Sequence, residues 1–160
     1  VFRFFTVYGP WGRPDMAYYK FTNKIIQGIG IEIYNKGNME RDFTYIEDLS
    51  HAIFLLISAI PNTFGKKCTK IDSISSIAPY RVVNIGNSKP VKLKSFIKAI
   101  EINLGIEAKK NMLPMQLGDV PSTWSNSDLL RDLTGYLPKT NINEGIEKFI
   151  KWYKNYHKTK

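Results

Sequence analysis

The sequence VFRFFTVYGPWGRPDMAYYKFTNKIIQG, residues 1–28, changes its hydrophobic pattern once, and this change indicates the fold class. Residues 2–8 are apolar and rich in β-forming side chains, and they stop at Gly9-Pro10, so they predict a buried strand. Residues 16–27 repeat apolar side chains at helical spacing and stop at Gly28, which predicts a helix. A strand that leads into a helix is the building unit of an α/β fold.

The same alternation continues along the chain. Further strands are predicted over residues 31–34, 41–46, 80–85 and 108–115, and further helices over residues 47–60, 93–104, 128–133 and 141–156. The last helix has Asn141 as its N-cap and Glu144 three residues later. Because these segments are irregularly spaced, they favour a substrate-binding lobe over a complete doubly wound sheet.

Residues 61–79 differ from the rest of the chain. They are polar, rich in Ser and Lys, and show no clear period, so they predict a surface loop or insertion. The single cysteine, Cys68, lies in this segment, and one cysteine excludes a disulfide framework within the chain. We interpret its thiol as a bystander.

The charge balance is positive. Among 160 residues, 23 are Lys or Arg and 14 are Asp or Glu, which gives a net charge of +9. Lysines of the predicted helices alternate with apolar residues, as on solvated faces, and no helix-turn-helix, zinc-finger or RRM signature accompanies them. The sequence therefore predicts no nucleic-acid partner, although a diffuse attraction for anionic ligands stays open.

The N-terminal sequence and the short apolar stretches of the chain predict a cytoplasmic protein that does not bind a membrane. The longest apolar stretch, residues 52–60, is far shorter than the roughly 20 residues that span a bilayer, and no signal peptide is visible. The chain opens on Val1, which leads directly into an apolar predicted strand, so we expect further residues upstream.

Catalytic motifs are missing from this sequence. The glycine pairs Gly9/Gly12 and Gly28/Gly30 do not complete a dinucleotide-binding pattern, and no P-loop, G-x-S-x-G or HExxH motif occurs. One Tyr-x-x-x-Lys runs from Tyr156 to Lys160, but chain ends fray and this pair lacks a strand–helix context. The two histidines are far apart, so no metal site is predicted.

Six segments carry a resemblance to a known family. They are RFFTVYGPWGRPDMA (3–17), YNKGNMERDFTYIED (34–48), YRVVNIGN (80–87), PMQLGDV (114–120), GYLPKT (135–140) and WY (152–153). In this order they resemble the C-terminal half of the sugar-nucleotide epimerases of the extended short-chain dehydrogenase/reductase family, and above all its UDP-glucuronate 4-epimerase group, known from capsule polysaccharide biosynthesis. The resemblance covers nearly the whole chain and is weakest across residues 61–79.

The resemblance implies a mechanism and a division of labour. Family members bind NAD in an N-terminal Rossmann domain, where the Tyr of a Tyr-x-x-x-Lys pair takes the proton of the sugar 4-hydroxyl as hydride passes to NAD. The 4-keto sugar then receives the hydride on its other face. These motifs precede residue 2 in the family's order. Residues 1–160 are therefore expected to form one substrate-binding lobe that is not catalytic alone, with NAD held by the missing Rossmann domain.

Two residues match positions that hold the uronate carboxylate in the family, Thr6 and Arg13. A hydroxyl at a strand end and a guanidinium beyond the Gly-Pro turn can together clamp a carboxylate. The alternatives are a Thr6 hydroxyl bonded to backbone and a solvated Arg13.

Arg41 matches the family arginine that pairs with the UDP diphosphate, and Asp119 matches a carboxylate near the ribose. Gln116 stands where many relatives have an arginine beside the diphosphate. The alternative for Arg41 is a structural salt bridge with Asp42 or Asp48. The alternative for Asp119 is a turn-forming role.

Four further residues are assigned by the resemblance. Glu32 and Tyr34 match the strand that presents backbone groups to uracil, with the aromatic ring beside the base; a half-buried strand aromatic is the alternative for Tyr34. Tyr8 and Pro10 match the segment that runs past the nicotinamide.

Three hypotheses for the whole chain follow. It is the substrate lobe of an epimerase, a truncated or split-gene relic, or a free-standing nucleotide-sugar or polyanion-binding module. As a separate piece it would expose apolar side chains that relatives bury, namely Phe2, Phe4, Trp11 and Tyr45, which favours self-association.

Overall fold

The computed structural model describes residues 1–61, 67 and 69–159. The chain divides into two compact units. The first unit comprises Val1–Val7, the described residues within Asp42–Lys89, and Trp124–Thr140. The second unit comprises Tyr8–Arg41, Pro90–Thr123 and the chain from Asn141 onward. That residues 1–160 act as one substrate-binding lobe remains a prediction.

Strands and helices alternate along the described residues, and the predicted α/β class is confirmed. The strands are β1 (Phe2–Phe4), β2 (Thr6–Tyr8), β3 (Ile31–Ile33), β4 (Glu40–Tyr45), β5 (Val83–Ile85), β6 (Pro90–Lys92) and β7 (Lys110–Met112). The helices are α1 (Ala17–Ile26), α2 (Ile46–Leu56), α3 (Leu93–Leu104), α4 (Asp128–Thr134) and α5 (Ile142–His157).

Two of the sheets are parallel pairs. In the first unit β1 pairs with β5, with Phe2 opposite Val83, and in the second unit β3 pairs with β7, with Ile31 opposite Lys110. The third sheet has the order β2-β4-β6, and the chain passes from one unit to the other along β2 and β4. The sequence pattern missed β6, which has only three residues.

The core of the first unit lies between α2, α4 and β5. Its buried side chains are Leu49, Ala52, Leu56, Val83, Ile85, Leu129 and Leu130. The spacing of the α2 members, at i, i+3 and i+7, is that of one face of an amphipathic helix. This helix ends at Leu56, four residues before the predicted end at residue 60.

The core of the second unit is aromatic and lies between α1, α3 and α5. The Tyr8 ring contacts the rings of Tyr18 and Phe96 at centroid distances of 6.4 and 6.5 Å, and Tyr18 meets Phe149 edge-on at 4.9 Å. Gly145 of α5 makes this packing possible, because a Cβ there would lie 2.0 Å from the Tyr8 hydroxyl oxygen.

Local signals set the ends of several helices. The bounds of α3 agree with the predicted ones, and Gly105 follows it with a φ of +70°, a value that glycine adopts without strain. At the start of α5, Asn141 Oδ1 accepts a hydrogen bond from Glu144 N at 3.0 Å, so the predicted cap is confirmed.

The prediction that residues 2–8 form a buried strand was wrong for most of that segment, because only Tyr8 among them is buried. Phe2 and Phe4 are 41% and 48% exposed in β1, and Trp11 is exposed too, as expected for this chain as a separate piece. Tyr45 was expected to be exposed, but it is buried at the end of β4.

The described part of residues 61–79 contains turns and irregular backbone, with buried anchors. Asp72 is buried and pairs with the buried guanidinium of Arg81, and Ile74 is buried beside them. Ile74 N donates to Asp72 Oδ1 at 3.0 Å. This segment is therefore tied to the first unit. Cys68 lies outside the described residues.

Asp48 anchors the GYLPKT segment to the first turn of α2. Its carboxylate accepts hydrogen bonds from the Tyr136 hydroxyl at 2.9 Å, Lys139 N at 3.0 Å and Thr140 N at 2.8 Å. Burial by itself raises the pKa of this carboxyl, but hydrogen bonds from Thr140, Tyr136 and Lys139 outweigh it, so the pKa lies below its ordinary value.

Because the pKa of Asp48 is lowered by folding, the free energy of unfolding depends on pH in the acidic range. The contribution of Asp48 is complete above the unfolded pKa of about 4 and is lost as the pH falls through the folded value. We expect the urea midpoint to drop below about pH 4, and Asp48→Asn to be less stable at neutral pH with a shallower acid dependence. Urea titrations followed by circular dichroism at several pH values test this; an equal acid slope in Asp48→Asn would contradict it.

Candidate functional site

Two of the sequence-predicted ligand residues contact each other in the second unit. Arg41 Nη2 lies 2.7 Å from Asp119 Oδ1, although 78 residues separate them along the chain. Arg41 Nη1 also donates to the carbonyl of Glu40 at 2.8 Å and, at 3.4 Å, to that of Pro121. The pair is partly accessible, with side-chain exposures of 21% for Arg41 and 38% for Asp119. A guanidinium placed this way can meet an anion from solvent.

Backbone pairing positions both members. Arg41 follows Glu40 in β4, and Glu40 N donates to Pro121 O at 2.8 Å, which brings the 116–123 segment alongside the strand. Asp119 closes a tight turn in which Asp119 N donates to Gln116 O at 3.3 Å, with Gly118 at φ +81°. A positive φ at the third position of a turn is what glycine supplies. Gln116 is exposed beside the pair.

The alternative partners predicted for Arg41 are engaged elsewhere. Asp48 binds the GYLPKT segment, and Asp42 is fully buried in the first unit. The Asp42 carboxylate accepts from the backbone N–H groups of Asn87, Ser88 and Ser125 and from the Ser125 hydroxyl. Arg41 therefore forms its salt bridge with Asp119 and not with the two partners that the alternative named. The predicted turn role of Asp119 is compatible with the arginine contact, because its Oδ1 also accepts from Val120 N at 2.8 Å.

The Asp42 network was missed from sequence. An aspartate beside an arginine in a strand gives no local signal of the three backbone segments that it joins. Gly86 is the one neighbouring hint, because a Cβ there would lie 2.2 Å from Ser125 Oγ and 2.9 Å from Asp42 Oδ2.

Glu32 is the middle residue of β3, and Tyr34 directly follows this strand in the second unit. Glu32 is exposed between buried Ile31 and Ile33, and its carboxylate is 3.9 Å from Lys24 Nζ. Tyr34 is half-buried and begins a tight turn in which Asn35 takes a φ of +49°. The strand ends one residue before the predicted bound. That these residues meet a uracil stays a prediction.

Thr6 and Arg13 fall in different units, so each is described alone. Thr6 is half-buried in β2. Arg13 is exposed in the second unit and pairs with Asp15, with Nη2 and Oδ2 at 2.9 Å. The carboxylate clamp of these two residues stays a prediction.

Tyr8 does not fit its expected contact with a nicotinamide. Its ring is 1% exposed inside the aromatic core, and its hydroxyl donates to the Asn141 carbonyl at 3.4 Å. The Tyr8 ring is therefore committed to the core of the second unit. Pro10 is half-buried and stays a prediction.

Two further points concern the described residues alone. None of their helices combines the length and apolar character that crossing a membrane requires, and no group of three acidic, histidine or cysteine side chains is placed to hold a metal ion.

Tyr156 of the Tyr-x-x-x-Lys sequence packs against Trp152 in a stacked pair with ring centroids 5.2 Å apart, whereas Lys160 of that sequence lies outside the described residues. A cytoplasmic location stays a prediction.

The α/β fold of the described residues is that of the extended short-chain dehydrogenase/reductase epimerases. The chain belongs to the NAD dependent epimerase/dehydratase family, whose model matches residues 1–86. Within this family it is similar to UDP-glucuronate 4-epimerases, and the resemblance recognised in the sequence is confirmed.

Protein CapI of Staphylococcus aureus is 52% identical over 159 residues, which are 98% of this chain and 47% of CapI. A probable UDP-glucuronate 4-epimerase of Rhizobium meliloti is 48% identical over 160 residues, with the same coverage. The crystal structure of UDP-glucuronic acid 4-epimerase from Bacillus cereus, in complex with UDP-glucuronic acid and NAD, matches 97% of this chain and 45% of its own at a TM-score of 0.79 and 28% identity. The chain thus spans about half the length of the relatives that it matches.

Proposed function

We propose that this chain is the nucleotide-sugar-recognition part of a 4-epimerase that interconverts UDP-glucuronate and UDP-galacturonate. The observation that carries the proposal is the Arg41–Asp119 contact at 2.7 Å. Both residues were assigned to the nucleotide by the family resemblance, and the fold brings them together from distant positions. The similarity to UDP-glucuronate 4-epimerases supports the same reading.

In this proposal Arg41 binds the diphosphate and Asp119 the ribose. A guanidinium presents N–H donors in a planar fork that matches phosphate oxygens, and a carboxylate accepts from ribose hydroxyls. Two backbone carbonyls fix the guanidinium, so less side-chain freedom is lost when an anion binds.

Other predicted residues complete the ligand set. Glu32 and Tyr34 flank the uracil, and Gln116 reaches the diphosphate as a neutral donor. Thr6 and Arg13 hold the sugar carboxylate, and this feature selects a uronate. The Arg13 guanidinium is exposed and contacts Asp15 and the Met16 sulfur, and because an exposed ion pair of this kind contributes little, a ligand carboxylate can replace it at small cost.

The reaction itself is assigned to groups outside this chain. We propose that NAD and the proton-transferring tyrosine belong to the N-terminal Rossmann domain of the full-length family members, since Tyr8 is committed to the core. The exposed faces of Phe2 and Phe4 in β1 fit contact with that domain, because parallel strands in proteins are covered on both faces. Self-association through the same face is the competing outcome.

The substrate class is tested by calorimetric titration of the chain with UDP-glucuronate and with UDP-glucose. We expect tighter binding of UDP-glucuronate, and Arg13→Ala should remove the difference. Equal affinities for the two sugars in the parent chain would exclude the uronate assignment. Binding to polyanions that is lost steeply with salt, without preference for UDP-sugars, would favour a basic interaction module.

Arg41→Ala is expected to weaken UDP binding by about ten- to hundredfold, since a charge-assisted contact with a diphosphate contributes about 1.5–3 kcal/mol. Titration with UDP measures the change. Arg131→Ala, which removes an arginine that pairs with Asp128 on an exposed surface, is the matched control and should bind UDP as the parent does. A normal UDP affinity in folded Arg41→Ala would refute the role of Arg41.

A further inference from the structure

The guanidinium of Arg41 pairs with an anionic side chain of its own chain, Asp119. Of its five N–H donors, three contacts are made, one to Asp119 and two to backbone carbonyls, which leaves two donors without an acceptor among the described residues. The Asp119 carboxylate receives Arg41 and Val120 N on the same oxygen, Oδ1. Asp119 therefore sits where an incoming phosphate would have to share the arginine or replace the carboxylate.

Either route sets a condition on the ligand. A phosphate that shares Arg41 brings a second negative charge beside Asp119, and like charges at short range repel. A phosphate that takes the place of Asp119 on the guanidinium removes the Arg41 donor from the Asp119 carboxylate. This loss of binding energy is offset only if the ligand brings another hydrogen-bond donor to that carboxylate.

We propose that Asp119 is a specificity-determining residue that acts as an internal competitor for Arg41 and so selects nucleoside diphosphates over free pyrophosphate. This inference rests on the proposed function. A nucleoside diphosphate brings ribose hydroxyls that donate to the displaced carboxylate, whereas pyrophosphate brings no such donor. The carboxylate thus weakens the binding of pyrophosphate by repulsion and strengthens the binding of a nucleoside diphosphate by accepting from its ribose. The difference between these two affinities is the specificity.

The turn that carries Asp119 allows this exchange. Residues 116–119 are closed by one hydrogen bond of 3.3 Å, and Leu117 at the tip is 100% exposed. Because little packs against the tip, the carboxylate can shift from guanidinium to ribose without disturbing a core.

The test compares the parent chain with Asp119→Asn, titrated with UDP and with inorganic pyrophosphate at one ionic strength. We expect Asp119→Asn to bind pyrophosphate about two- to fivefold more tightly, which is the upper part of the range of one partly exposed charge contact. UDP affinity should not rise, so the preference for UDP over pyrophosphate falls. Asp128→Asn is the matched control, since it removes a carboxylate 2.8 Å from Arg131.

The outcomes separate this inference from the proposed function. Unchanged or weaker pyrophosphate binding in Asp119→Asn overturns the inference, and so does an equal gain in Asp128→Asn, which would reflect net charge alone. If the parent chain does not bind UDP but Asp119→Asn gains pyrophosphate affinity, the competition stands and the proposed function fails. Should Asp119→Asn misfold by circular dichroism, Asp119→Ser, whose hydroxyl can still accept from Val120 N, repeats the measurement.

Discussion

Replacing Asp42 by alanine is expected to lower the free energy of unfolding by about 3–5 kcal/mol. The carboxylate is 0% exposed and accepts hydrogen bonds from Asn87 N at 3.0 Å, Ser88 N at 2.9 Å and Ser125 N at 2.9 Å. Alanine would leave these backbone donors without their acceptor inside the first unit, and each buried unsatisfied donor costs about 1–3 kcal/mol. Urea denaturation followed by circular dichroism measures the loss.

Two variants make the Asp42 result specific. Asp42→Asn keeps the volume and one acceptor oxygen but turns an amide toward N–H donors, so its loss should be smaller than that of alanine and still clear. Asp132→Asn removes a carboxylate near the surface of α4 and should stay within about 0.5 kcal/mol of the parent. If Asp42→Ala unfolded at the parent's urea midpoint, the network would not contribute to stability.

Arg81→Ala is expected to destabilise the chain by about 3–5 kcal/mol, because it breaks a buried ion pair by removing one member. Arg81 binds Asp72 through two parallel contacts of 2.8 and 3.0 Å, and Nη1 donates to the Ala59 carbonyl at 3.0 Å. Both side chains are at least nine-tenths buried. Thermal and urea denaturation of the purified variant test the effect.

A double variant distinguishes the broken ion pair from lost packing. Arg81→Met combined with Asp72→Leu removes both charges at similar volume and should recover much of the stability lost in Arg81→Ala. Arg131→Ala breaks an exposed arginine–carboxylate pair and should cost less than about 1 kcal/mol. Equal losses in Arg81→Ala and Arg131→Ala would show that burial does not set the strength of the Arg81 contact.

Stability and binding can be tested separately in this chain. Asp42 and Arg81 lie in the first unit, whereas Arg41 and Asp119 lie in the second unit with partly accessible side chains. Variants of the accessible pair are therefore suited to binding measurements, and variants of the buried groups to denaturation.

The sequence by itself determined the features that depend on near neighbours. The bounds of α3 follow from apolar spacing and Gly105, and the start of α5 follows from Asn141 and Glu144. The order of the quoted segments was enough to identify the family, and the α/β class followed from strand–helix alternation. These signals act within about one helical turn or one strand, so no tertiary information was needed.

Only the tertiary structure decided which side chains meet and which are covered. Asp42 gives no local sign of its three backbone donors, Asp72 lies in a segment expected at the surface, and Arg41 finds Asp119 across 78 residues. Tyr45 is buried while Phe2 is exposed, although both are aromatic residues in strands. Burial and pairing of a side chain depend on the residues that folding brings next to it. The hydrophobic pattern of the sequence reports the preference of each residue but does not identify these neighbours.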